Sequence, residues 1–189
     1  MSDKNFWSII DKTKADDQDT QSQQLKVHLS QLSKDDLIAF EAVYRAKLSK
    51  AFHWDLWAAA YIINGGCSDD GFDYFCDWLI SRGQKVYVDA LENPETLVGE
   101  ATPWETEFEE YRYIMMEVME DVHHGEFPLP SVTRPPEPLG DSWDEESVEE
   151  KFPLLASWVN SSVETVVQPL PTETQKKPRT FWQRLFGKK

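Results

Sequence analysis

The chain has 189 residues and a net charge of −15, from 19 Lys and Arg against 34 Asp and Glu. So acidic a surface argues against nucleic acid, whose phosphates need a basic face. With 40% hydrophobic residues and eight tryptophans there is material for one substantial core, and the length is short for two.

The opening Met1-Ser2-Asp3-Lys4 lacks the basic-then-apolar order of a signal peptide, so a cytoplasmic location is expected. Phe6, Trp7, Ile9 and Ile10 weight one side of a short first helix. The polar run from Asp16 to Gln24 reads as a loop or a solvated helix start. Leu25, Leu29 and Leu32 then recur at helical spacing. Ser33-Lys34-Asp35-Asp36 restarts the chain with a capping serine and acids in the first turn. Leu37, Phe40, Tyr44, Leu48 and Phe52 carry that helix onward. Residues 54–64 are apolar nearly all round, which marks a central helix, and Ala58, Ala59 and Ala60 let neighbouring helices come close.

Asn64-Gly65-Gly66-Cys67-Ser68-Asp69-Asp70-Gly71-Phe72 follows as a corner between two buried helices. Its glycines can end the first helix in backbone angles closed to other residues. Ser68 can cap the second, with Asp69 and Asp70 in a first turn whose dipole favours negative charge. Phe72, Phe75, Cys76, Leu79 and Ile80 continue that helix, and Gly83 stops it. Val86 to Leu91 forms one more short helix, ended by Asn93-Pro94. Thr102-Pro103-Trp104-Glu105 reads as a start signal for a long helix to about His123, with Gly125 ending it.

Five prolines between Glu126 and Gly140 forbid regular helix and favour an extended strap. Trp143, Val148, Phe152, Leu154, Leu155 and Trp158 form a returning segment suited to packing on the core. Beyond Asn160 the composition predicts disorder up to the last ten residues. The expected fold is all-α: a single compact multi-helix domain of six or seven helices, with a Pro-rich strap and a flexible C-terminal tail. Its parts are a helical core (1–125), a strap and returning segment (126–158), and a disordered linker (159–189) ending in a basic-aromatic amphipathic tail.

The run from Leu56 to Phe72 (Leu56-Trp57-Ala58-Ala59-Ala60-Tyr61-Ile62-Ile63-Asn64 and the corner), continued by Tyr74-Phe75 and Trp78-Leu79-Ile80, closely resembles the signature of the domain-of-unknown-function family numbered 4240. Phe6-Trp7 with Ile9-Ile10 resembles that family's amino-terminal motif. Trp143-Asp144-Glu145-Glu146 and Phe152-Pro153-Leu154 resemble its carboxy-terminal one. One departure is Cys76, where the pattern leads us to expect an arginine. The resemblance implies a mostly helical bacterial domain and supplies no reaction.

Chemistry concentrates at the corner. Asp69, Asp73 and Asp77 fall on one helix face, as a hard cation would require, but the calcium-loop pattern is absent and capping explains the acids at the helix start. Cys67 precedes the cap and could ionise there; His53, His123 and His124 are bases for it by residue type only. A buried structural thiol is the plainer reading. Trp54, Trp57, Trp78, Asp55 and Arg82 flank the corner, with Asp55 and Arg82 a potential pair. Asp55, Cys67, Ser68, Asp69, Asp70, Asp73 and Arg82 therefore form the candidate binding corner, with no catalytic set, no metal site and no cofactor expected.

Residues 172–189 carry six basic groups against one acid, a net charge of +5 beside −20 for the remainder. Phe181 with Leu185 and Trp182 with Phe186 stand at i and i+4, flanked by Arg184, Lys188 and Lys189. This composition suits an anionic lipid surface or a partner groove. The leading expectation is a non-enzymatic cytoplasmic interaction domain whose tail docks reversibly on the inner membrane or on an unknown protein partner. One alternative is an enzyme or small-ligand binder with its site at the Gly65–Phe72 corner. Another is an acidic inhibitor or immunity-type protein. No transmembrane segment is expected, because no apolar run approaches ~20 residues.

Overall fold

Capping residues divide this chain into its helices. In the computed structural model, which describes residues 1–128 and 133–166, α1 spans Asp3–Lys12 and α2 spans Gln18–Leu29. Ser2 and Asp17 accept from backbone N–H groups in the respective first turns, satisfying donors the helix itself leaves open. Ser33 does the same for α3 (Lys34–Ala51), and the imidazole Nδ1 of His53 for α4 (Trp54–Asn64). Ser68 caps α5 (Asp69–Ser81), and α6 (Gln84–Glu92) follows Gly83, whose φ of +92° favours glycine. Among the described residues there are no strands.

α4 is the central element. Leu56, Ala58, Ala59, Ala60 and Ile63 are buried in it, and the small alanines admit close neighbours. Phe72, Phe75, Leu79 and Ile80 of α5 join Phe6, Trp7 and Ile10 of α1 in the same core. Trp57 stacks on Phe72 with ring centroids 4.9 Å apart and planes 7° from parallel, and Trp54 stacks on Trp57 at 5.5 Å. α3 packs against α5 and α7 (Ile114–His123).

The long helix expected from Thr102 does not form. Trp104 adopts φ +65°, a conformation costly for a residue with a side chain, and its ring is half exposed rather than inward. Its N–H donates to the Ile63 carbonyl, Thr106 Oγ1 donates to Asn64 Oδ1 at 2.8 Å, and Phe108 N–H donates to the Tyr74 carbonyl. These long-range bonds hold the stretch open across the end of α4, overriding a local start signal. A 3₁₀ turn at Glu109–Arg112 then leads into α7.

The strap is pinned at Leu139. Leu139 N–H donates to the Phe52 carbonyl, and Trp54 N–H donates to the Leu139 carbonyl at 2.8 Å. Trp143 Nε1 donates to the Trp54 carbonyl, and its ring stands edge-on to Trp54. The short α8 (Val148–Lys151) and α9 (Pro153–Val166) return over α4, burying Val148, Phe152 and Leu155 while Leu154 stays exposed. Disorder was expected beyond Asn160, but helix continues to Val166.

Candidate functional site

The Gly65–Phe72 corner folds for the local reasons its composition suggests. Gly65 C-caps α4 in the left-handed region at φ +68°, and Gly66 follows at φ +137°. Trp57 Nε1 donates to the Cys67 carbonyl at 3.0 Å, fixing the turn against the aromatic stack. Asp69 and Asp70 stand exposed in the first turn of α5. Burial, aided by the nearby Glu107 charge, pushes the Cys67 thiol up to about 12, so it stays protonated near neutrality and is not the thiolate a nucleophile requires.

The remaining corner candidates point elsewhere. Asp55 pairs with Lys151 of α8 at 2.6 Å and lies 3.8 Å from His53. Arg82 lines a different depression, shared with Asp16, Asp17, Glu100 and Glu105. Asp55 and Arg82 therefore do not pair. Asp73 turns away from Asp69 toward two arginines, at 2.5 Å from Arg134 Nη1 and 3.4 Å from Arg112 Nη1. Among the described residues no three His, Cys, Asp or Glu side chains are grouped to hold a metal ion.

A denser cluster lies where α5 meets α3, one turn further along. Asp77 is fully buried and accepts from the Tyr44 hydroxyl and from Arg112 Nε. Burial pushes its carboxyl up to about 6, outweighing the opposing pull of Arg112 and the Tyr44 hydrogen bond. Burial also works against the Arg112 cation, but Asp77 more than offsets this and holds the guanidinium above its ordinary value. At neutral pH the pair is thus ionised. The Tyr44 hydroxyl is pushed up, first by burial and then by the Asp77 charge, so it remains a donor.

Arg112 also borders a cleft of about 200 Å³ between α3, α5 and the strap. Arg45, Arg112 and Arg134 line it together with Asp73, and Leu48 and Phe52 form its apolar wall. Ser49 and Cys76 complete the lining. Aromatic faces hold two of the guanidiniums: Arg134 lies 3.5 Å from the Phe52 ring centroid and Arg112 lies 5.3 Å from that of Tyr74. Arg45 bonds Glu41, one turn back on its own helix. Burial keeps the Cys76 thiol well above its ordinary value and hence neutral beside the arginines.

Sequence reasoning had singled out Asp73 and set Asp77 on its stripe, but missed Arg45, Arg112, Arg134 and Tyr44. Those arginines come from a long helix, a 3₁₀ turn and a proline strap, so no spacing connects them. Composition did hold a trace: of the six arginines, Arg179 and Arg184 fall in the basic tail, and three of the other four line this cleft. The tail candidates Phe181, Trp182, Arg184, Leu185, Phe186, Lys188 and Lys189 lie outside the described residues.

Fold and cleft together define an all-α domain with an arginine-lined recess. The chain belongs to the family described as Protein of unknown function (DUF4240), whose model matches residues 1–121. The match takes in the corner, Asp73, Asp77, Arg45 and Arg112; Arg134 and the segment from Trp143 to Leu154 lie beyond it. No curated protein and no solved structure matches the chain.

Proposed function

We propose that this protein is a non-enzymatic recognition domain whose binding surface is the arginine cleft, not the glycine corner. The basic-aromatic tail would tether it reversibly to the cytoplasmic face of the inner membrane or to a protein partner. The observation that carries this reading is the convergence of three of the four described arginines on one recess, in a body whose net charge is strongly negative. Arginine forks recognise anionic oxygens in a fixed geometry, and placing scarce arginines together concentrates such donors in one recess. At the corner, by contrast, the Ser68 hydroxyl caps a helix and the Cys67 thiol stays protonated. Among the described residues no helix is long and apolar enough to cross a membrane.

Two comparisons test this. Native-lysate partners are recovered on the full chain and on Arg45→Glu/Arg134→Glu, with folding checked by circular dichroism. Vesicles containing anionic lipid are sedimented with the full chain and with one lacking residues 176–189. Specific recovery should fall in the charge-reversed variant, and vesicle binding should fall without the tail. Equal results from all forms would overturn the reading.

A further inference from the structure

We propose that the cleft is an oxyanion site that takes the phosphoryl group of a phosphate monoester, and that the Asp73 carboxylate bridges two of its guanidiniums until that ligand displaces it. The inference rests on reading the cleft as the recognition surface and adds the class of ligand.

Donor capacity is the first argument. A guanidinium carries five N–H donors in a planar fork. Asp77 takes Nε of Arg112, Asp73 takes Nη1 of Arg112 and of Arg134, and Glu41 takes Nε of Arg45. Nη2 of Arg112, Nε and Nη2 of Arg134 and both Nη atoms of Arg45 have no hydrogen bond to described residues. The Ser49 hydroxyl in the same lining is likewise unbonded among them. The cleft thus offers more donors than its carboxylates use.

The arrangement of those carboxylates is the second argument. Asp77 is wholly buried and Glu41 nearly so, and both are committed to one arginine each; Asp73 is 29% exposed at its side chain and bridges two. Asp73 is therefore the partner that can rotate into solvent, and its bridging position is where an incoming oxyanion would sit. A phosphate monoester brings about 1.5–2 negative charges and three acceptor oxygens, enough to engage a third guanidinium that a single carboxylate leaves alone. The recess is small, about 200 Å³, which suits a headgroup rather than a whole large ligand. The neutral Cys76 thiol adds no competing charge. The negative body does not defeat this, because its more distant charges are screened beyond roughly 8–10 Å at physiological salt.

The test is calorimetric titration of the full chain with methyl phosphate, inorganic phosphate and acetate at fixed ionic strength, alongside sedimentation with phosphatidic-acid vesicles. Methyl phosphate should bind saturably and more tightly than acetate. Arg134→Ala should weaken it about tenfold, the loss expected for a charged hydrogen bond. Asp73→Asn should tighten it by a similar factor, an effect that a purely structural ion-pair network would not produce. If vesicle binding also falls with Arg134→Ala, the phosphoryl group comes from a lipid headgroup; if only methyl phosphate responds, it comes from a small molecule. Absence of phosphate binding, or weaker binding in Asp73→Asn, overturns the inference. Should that happen while partner recovery still depends on Arg45 and Arg134, the recognition surface stands without its phosphate.

Discussion

Two ends of one helix share a residue type and use it in opposite ways. At the start of α5, Asp69 and Asp70 are exposed and serve the dipole of the first turn. One and two turns later, Asp73 is shared between two arginines and Asp77 is sealed beneath them with Tyr44. The spacing is regular, so depth rather than pattern separates the roles. An aspartate in water stabilises a helix end modestly, whereas one removed from water must recruit a cation and a hydrogen-bond donor or lose its charge.

The sharpest way to break this comparison is to delete the buried partner. Asp77→Ala should cost roughly 3–5 kcal/mol in denaturant unfolding, since it leaves the buried Tyr44 hydroxyl without its acceptor and Arg112 with only the longer Asp73 contact. Asp69→Ala should cost well under 1 kcal/mol by the same measurement. A pair of equal losses would mean that depth does not distinguish them.

Acid titration sharpens the contrast next. Asp77 has a folded pKa of about 6 against an ordinary 3.8, so between those values the folded state holds more of the proton. Its contribution to stability is therefore fully present below about pH 4 and lost as pH rises through 6. The shift corresponds to about 3 kcal/mol at most. Relative to Asp77→Asn, the wild-type chain should gain stability on acidification from pH 7 to 4; a pH-independent difference would refute this origin.

At the corner the expected losses are smaller. Ser68→Ala should cost about 1 kcal/mol through the lost cap, and Gly65→Ala about 1 kcal/mol because of its positive φ, both read from chemical denaturation. Cys67 should react with iodoacetamide at neutral pH more slowly than a free cysteine, and fast labelling would contradict the raised thiol pKa. The smallest effect belongs to Tyr111, whose buried hydroxyl has no partner among the described residues. Tyr111→Phe should change stability by less than about 0.5 kcal/mol or raise it slightly.

Local chemistry made most of the helices legible. Ser33 and Ser68 announced their caps, Gly83 its break, and the alanine-rich run of α4 its central place. Two misreadings share a cause in distant contacts, and a third is local. Gln21, read as part of a polar run, is buried because its Nε2 donates to the Ser81 carbonyl 60 residues away. Trp104 leaves the helix its neighbours signalled because the end of α4 captures its amide. His124, not Gly125, takes the left-handed position after α7, and its N–H donates to the Glu120 carbonyl. The cleft was half legible for the same reason: Asp73 and Asp77 share a helix and show a period, whereas Arg45, Arg112 and Arg134 meet only through tertiary structure.

The pinning of Leu139 between Phe52 and Trp54 also bears on how the molecule assembles. The amide that opens α4 finds its partner only after the strap arrives, and Trp143 closes on Trp54 across 89 residues of sequence. Such distant closures are slow, because the intervening loop must be ordered before the contact rewards it. During synthesis the helices up to α7 can gather while Trp54 still lacks its edge-on partner Trp143. Docking of the strap is thus expected to come late, and it completes both the α3–α4 junction and, through Arg134, the wall of the cleft.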